Sequence, residues 1–150
     1  MRAVSNTSPL SNLAIVDRLE LLRQKYGCVV IPEAVRRELS RLAHPEGRAR
    51  IEAALSVGWL AVEAVADRTL LPVLRSRIDE GEAEAIELAR QTNADLLIMD
   101  DLDGRVVAAE ESLPYTGVLG VLAEERMAGR IPSLKAEIDR LREKCRFFIS

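Results

Sequence analysis

Residues 95–103 read Asp-Leu-Leu-Ile-Met-Asp-Asp-Leu-Asp, and this stretch constrains the chain more than any other. The successive apolar side chains of Leu96 to Met99 point to alternate sides of an extended strand, so both faces of that strand must be covered. That is the character of a central strand in a parallel sheet. Shorter apolar runs recur along the chain, in RAVSN (2–6), CVVI (28–31), WLAVEAV (59–65) and the very short PYTG (114–117). Longer amphipathic stretches separate them, as crossover helices separate parallel strands. The pattern predicts an α/β fold with a mostly parallel sheet, in a single domain over residues 1–150.

Helices are predicted over 7–27, with Ser8 as N-cap, Pro9 at the first helical position and Gly27 as the stop. Others follow at 32–42, 48–58, 67–77, 79–93, 104–111, 117–129 and 133–144, and RFFIS (146–150) is predicted as a last strand. Aromatic residues are only 3% of the chain, which implies an aliphatic core and a poor stacking platform for unpaired bases. A formal net charge of −3 argues against broad nonspecific affinity for nucleic acid. Cys28 and Cys145 lack neighbours at metal-ligand spacing, and Cys28 reads as a buried small hydrophobe. No apolar run reaches membrane-spanning length and no signal peptide is evident, so no membrane association and a cytoplasmic location are expected.

The acids are the unusual part. Two like charges about 5 Å apart repel by roughly 3 kcal/mol at an effective dielectric of about 20, so Asp100, Asp101 and Asp103 either diverge or share a compensating charge. Asp100 ends the strand and ranks first as a ligand, ahead of Asp101. Asp103 reads as the N-cap of the following helix. Helical phase isolates two more acids. At about 100° per residue, Glu38 falls inside the apolar arc formed by Ala34, Val35, Leu39 and Leu42. In DEGEAEAIELARQT, Glu80, Glu84 and Glu87 form what reads as a solvated stripe, and Glu82 alone lies within the apolar arc of Ile86 and Ala89. Ligands of open parallel sheets bind beyond the carboxyl ends of the strands. Several carboxylates gathered there point to a hard cation, Mg²⁺ or Mn²⁺, held by oxygen ligands.

These residues, with VSNTSPLSNL, VVIPEAVRREL, GEAEAIELA, LLIMDDLDGR and TGVLGVL in that order, resemble the PIN-domain family of metal-dependent nucleases. The resemblance runs nearly end to end. It implies a three-layer α/β/α fold with a central parallel sheet, and an acidic site at the strand ends formed by Asn6, Glu38, Glu82 and Asp100. An aspartate is usual where Asn6 stands; the asparagine keeps one carbonyl oxygen and loses a charge, for which Asp101 is a candidate substitute. The implied metal ligands are Glu38, Glu82, Asp100 and Asp101, and the implied chemistry is hydrolysis of RNA phosphodiester bonds. Thr7 and Ser8 are candidates to hold the scissile phosphate, Arg105 to pair with the aspartates, and Arg36, Arg37, Arg41, Arg48 and Arg50 to form a basic rim. Thr116 and Gly117 would start a helix near the site.

The resemblance also implies an antitoxin partner, if the protein is the toxin of a toxin–antitoxin pair, and a homodimer. The rival from another class is a PIN-fold module that binds RNA or protein without cutting, favoured by Asn6. A haloacid-dehalogenase-like reading of DLDG is rejected, because the chain after Gly104 is short and mainly helical. A response-receiver reading fails too, since the first strand ends without an acidic pair. His44 has no partner that would make it a catalytic base and reads as a loop residue.

Overall fold

The computed structural model describes residues 1–145. Five short parallel strands form one sheet: β1 (Ala3–Ser5), β2 (Val29–Ile31), β3 (Leu60–Val62), β4 (Leu96–Ile98) and β5 (Tyr115–Thr116), in the spatial order β3-β2-β1-β4-β5. The chain runs outward from β1 through β2 to β3, then crosses back to β4 on the other side of β1. Ala3 lies opposite both Val29 and Leu96. The period-2 alternation of β structure then divides the apolar side chains between two cores. Ala3, Val29, Ile31 and Ile98 pack with Leu10, Leu13, Ile51, Trp59 and Val118 on one face, while Val4, Val30, Leu97 and Met99 pack with Leu71, Ile86 and Val107 on the other. The architecture is the expected three-layer α/β/α arrangement.

The helices depart from the predicted spans where side chains compete for the backbone. The 7–27 helix is two helices, α1 (Thr7–Ile15) and α2 (Glu20–Tyr26). Asp17 adopts a left-handed φ of 57°, and the Arg18 N–H closes onto the Leu13 carbonyl at 2.8 Å, a helix stop that normally uses glycine. Asn6, not Ser8, is the N-cap of α1, and Pro9 falls in the third helical position. Gly27 ends α2 as expected. The 67–77 helix shrinks to α5 (Leu71–Arg75) because the Asp67 carboxylate accepts both the Thr69 N–H at 3.0 Å and the Thr69 hydroxyl at 2.6 Å, a local turn that displaces helical pairing. Cys28 is exposed, contrary to expectation; it sits in the turn before β2, whose pairing begins at Val29. The predicted RFFIS strand lies outside the described residues.

Two further helices, α3 (Glu33–Ser40) and α4 (Pro45–Val57), flank β2 and β3 in sequence. His44 is the N-cap of α4, its Nδ1 accepting the Gly47 N–H at 2.9 Å. The helix that most shapes the molecule is α6 (Glu80–Gln91), where every residue from Gly81 to Ala89 is buried. The expected solvated stripe is therefore corrected: Glu84 and Glu87 are only 1% and 2% exposed, and Glu80 alone stays in solvent. A helix enclosed by the sheet, α3, α5 and α7 (Leu102–Glu110) has little free face left. Glu84 survives burial because its Oε1 accepts the Ala34 N–H at 3.1 Å, capping α3, and Arg68 stands 3.3 Å from Oε2. Glu87 is held by Arg90 at 2.7 Å and Gln91 at 2.8 Å.

Replacing Glu84 with Ala strands the buried Ala34 N–H and the Arg68 guanidinium. A loss of about 1–3 kcal/mol is expected, read as a lowered Tm, with Glu80→Ala as the surface control that moves it far less.

Candidate active site

The carboxyl ends of β1 and β4 lie side by side, with Ser5 opposite Ile98, where the strand order reverses. Open α/β sheets place their ligands in that crevice. A cavity of about 240 Å³ occupies it. Its walls carry four carboxyl groups, of Glu38, Asp79, Glu82 and Asp101, the amide of Asn6, and the hydroxyls of Thr7, Ser8 and Ser11, with no lysine or arginine among them.

Each acid is fixed by the local structure of its own element. Glu38, on α3, accepts the Thr7 hydroxyl through Oε2 at 2.6 Å, and its Oε1 lies where a side chain at position 81 would be. Glu82 sits in the first turn of α6, which Asp79 caps by accepting the Glu82 N–H at 2.8 Å. It is 6% exposed, and among the described residues no N–H or hydroxyl reaches its buried Oε2. Gly104 leaves room for it, since a Cβ there would come within 2.8 Å of that oxygen and displace the Glu82 and Met99 side chains. Burial, followed by the adjoining carboxyl groups of Asp79 and Asp101, pushes the Glu82 carboxyl up to about 9. Glu84 and Glu87 are as deeply buried but have arginines beside them; Glu82 has other acids.

Asp100 stands just beyond β4, as the sequence suggests, but its carboxylate is engaged away from the cavity lining. Its Oδ1 accepts the Val118 N–H at 3.0 Å, at the start of α8 (Val118–Met127), and lies 3.6 Å from the Arg105 guanidinium. Arg105 also donates to the Met99 carbonyl at 2.8 Å and stacks over the Tyr115 ring at 5.2 Å. The expected ion pair with the aspartates is thus made by Asp100, and Gly117 leaves the space for it. Burial raises the Asp100 carboxyl, partly offset by the Val118 N–H and Arg105. Its Oδ2 is buried and unpartnered, but Asp100 is not among the cavity-lining residues. Asp101, not Asp103, is the N-cap of α7, accepting the Gly104 N–H at 3.1 Å. Asn6 is 5% exposed with Oδ1 unpartnered. Of the expected basic rim, Arg36 pairs with Glu52 and Arg37 with Glu80, while Arg48 and Arg50 donate to the Leu42 and Ala14 carbonyls. Most of that charge is met within the chain.

The donor set fits a hard divalent cation. Every polar group on the cavity wall offers oxygen, two of the buried oxygens lack partners, and carboxyl groups crowd against each other with no cation to offset them. Among the described residues, no three carboxylate, imidazole or thiol groups close on a single ion. Mg²⁺ takes only one or two carboxylates and retains much of its water shell, which suits so open an arrangement.

A family model for PIN domains (DUF3368) matches residues 2–150. The chain belongs to the PIN-domain family. PIN domains are generally nucleases and typically use divalent metals. The fold of this PIN domain is similar to that of a PilT N-terminus domain protein from the hyperthermophilic archaeon Sulfolobus solfataricus, with a TM-score of 0.52 and 23% identity over 83% of this chain and 92% of that one. At that identity the likeness is one of fold. The comparison with curated proteins gave no match.

Sequence reasoning overlooked Asp79 and Ser11, and it passed over the glycines that make room for the acids. Asp79 precedes a helix as an N-cap would and carried that weak signal. No sequence pattern marks the close approach of Gly81 and Gly104 to acids from other elements.

The linkage at Glu82 has a definite sign. The folded protein retains a proton that the unfolded chain releases near pH 4.5, so this group's contribution is fully present below that pH and is lost as pH rises toward about 9. Calorimetry of the metal-free protein should show Tm falling with pH across that window. Glu82→Gln should flatten the fall and raise Tm on the alkaline side; a steeper fall in the variant would contradict the assignment.

Proposed function

We propose that this PIN domain is a metal-dependent ribonuclease that hydrolyses RNA phosphodiester bonds in the crevice beyond β1 and β4. The observation that carries this reading is the all-oxygen cavity with the unpartnered, buried carboxyl oxygen of Glu82 in its wall. Mg²⁺ or Mn²⁺ would be held by Glu38, Glu82 and Asp101, one or two of them directly and the rest through its retained waters, with Asn6 contributing its amide oxygen and Asp100 acting from beside the cavity through Oδ2. When bound, the ion would supply charge stabilisation at the phosphoryl oxygens and lower the pKa of the attacking water.

The remaining work falls to the chain itself. Thr7 fixes the Glu38 carboxylate through its hydroxyl bond, so that less reorientation is needed when substrate arrives. The N-terminus of the nine-residue α1 opens at the cavity, and the Asn6 side chain makes no capping bond there. Its leading N–H groups, of Thr7 and Ser8, with the Ser8 hydroxyl, suit a scissile phosphate. Arg105 holds the end of β4 through Met99 and Asp100, keeping the strand end in place beneath the substrate. RNA is the proposed substrate, an antitoxin segment plugging the crevice the proposed regulator, and a homodimer the proposed assembly. A short reading frame beside the gene would support the antitoxin, and sedimentation would test the dimer.

One observation favours a second reading: Asn6 removes a charge at the site, which suits a PIN-fold module that binds RNA or protein without cleaving. Cleavage of mixed RNA with Mg²⁺ or Mn²⁺ separates the two. The wild type should cut, a chelator should stop it, and Glu82→Gln should cost more than the roughly 10- to 100-fold typical of residues behind the metal ligands. Asp100→Asn should also slow cleavage. Cutting that survives Glu82→Gln would remove the mechanism, and a wild type that binds RNA but never cuts would establish the second reading.

A further inference from the structure

The cavity lacks one charge at Asn6, yet it is not poor in acids. Asp79 lies on its wall, at the N-terminus of α6 and one turn before Glu82. One of its oxygens, Oδ1, is spent on the Glu82 N–H at 2.8 Å, which anchors the residue at a fixed point of the rim. Among the described residues, no N–H or hydroxyl reaches Oδ2, and the Asp79 carboxyl adjoins that of Glu82. Asp101 is arranged in the same way across the cavity: Oδ1 caps α7 on the Gly104 N–H at 3.1 Å, and its carboxyl likewise adjoins that of Glu82. Between them, two side chains more than nine-tenths buried line the cavity with an oxygen that no N–H or hydroxyl of the described residues reaches, Asn6 Oδ1 and Glu82 Oε2. Buried polar oxygens are nearly always paired, so these two mark a place built for something that accepts electron pairs.

We infer that Asp79 supplies the negative charge that Asn6 does not, acting with Glu38, Glu82 and Asp101 as a carboxylate of the divalent-cation site. Asn6 then serves as a neutral oxygen donor, and the negative charge moves from the end of β1 to the N-cap of α6. The capping bond matters here because it holds Asp79 near the cavity while leaving its second oxygen free. The inference rests on the proposed cation-dependent activity and deepens it by assigning a residue.

The test uses Mn²⁺ alone as the ligand and the rise in Tm as the readout, since a ligand that binds only the folded state raises Tm. Asparagine caps helices as well as aspartate does, so Asp79→Asn removes charge without removing the cap, and with one acid fewer beside Glu82 its metal-free Tm should not fall below wild type. Its half-saturating Mn²⁺ concentration should rise by about tenfold or more. Adding Asn6→Asp to that variant should return the midpoint most of the way to wild type. If the wild type responds to Mn²⁺ and Asp79→Asn responds equally, Asp79 is only a helix cap and the inference fails while the nuclease reading stands. Weakening that Asn6→Asp does not reverse would also overturn the exchange of charge between the two positions. A wild type with no response to Mn²⁺ would overturn both readings together.

Discussion

A buried carboxyl group with acids for neighbours is the constraint around which this PIN domain is arranged. α6 passes through the molecule with three glutamates enclosed, and enclosure of a carboxylate is tolerated only when something offsets the charge. Glu84 has the α3 N-terminus and Arg68; Glu87 has Arg90 and Gln91. Glu82 has Asp79 and Asp101, and its carboxyl responds by retaining a proton. Three chemically identical side chains on one helix thus meet different fates, and the difference lies wholly in what other elements bring to them.

Topology explains why the difference falls at Glu82. The sheet order places the ends of β1 and β4 together, so the turns leaving both strands open on the same side as the first turn of α6. Acids from α3, α6 and the β4–α7 turn then reach a common cavity over very different separations in sequence. Backbone approach completes the arrangement: α6 comes against Glu38 at Gly81, and α7 against Glu82 at Gly104. Any side chain at those two positions would push an acid out of place, so the glycines belong to the site as much as the carboxylates do.

Helical phase found Glu38 and Glu82 because apolar arcs are local and α3 and α6 are regular. The same reasoning misplaced Glu84 and Glu87, since it assumes that one face of a helix meets water, and α6 keeps almost none. Asp100 was found at the strand end, where the sequence puts it, but its carboxylate turns to cap α8 and meet Arg105. That turn depends on a helix start eighteen residues further along the chain. The exposed Cys28 and the divided first helix are smaller cases: each was decided by where strand pairing began or by a single residue entering the left-handed region.

The sequence by itself determined the strands, most of the helices and the α/β class, because apolar periodicity is imposed by the backbone and can be read one segment at a time. Of the buried acids it marked only Glu82, whose helical phase set it inside an apolar arc. The tertiary structure alone decided which of those acids would be neutralised and which would face a shared cavity. Charge compensation depends on distances between residues remote in the chain, and no local pattern encodes those distances.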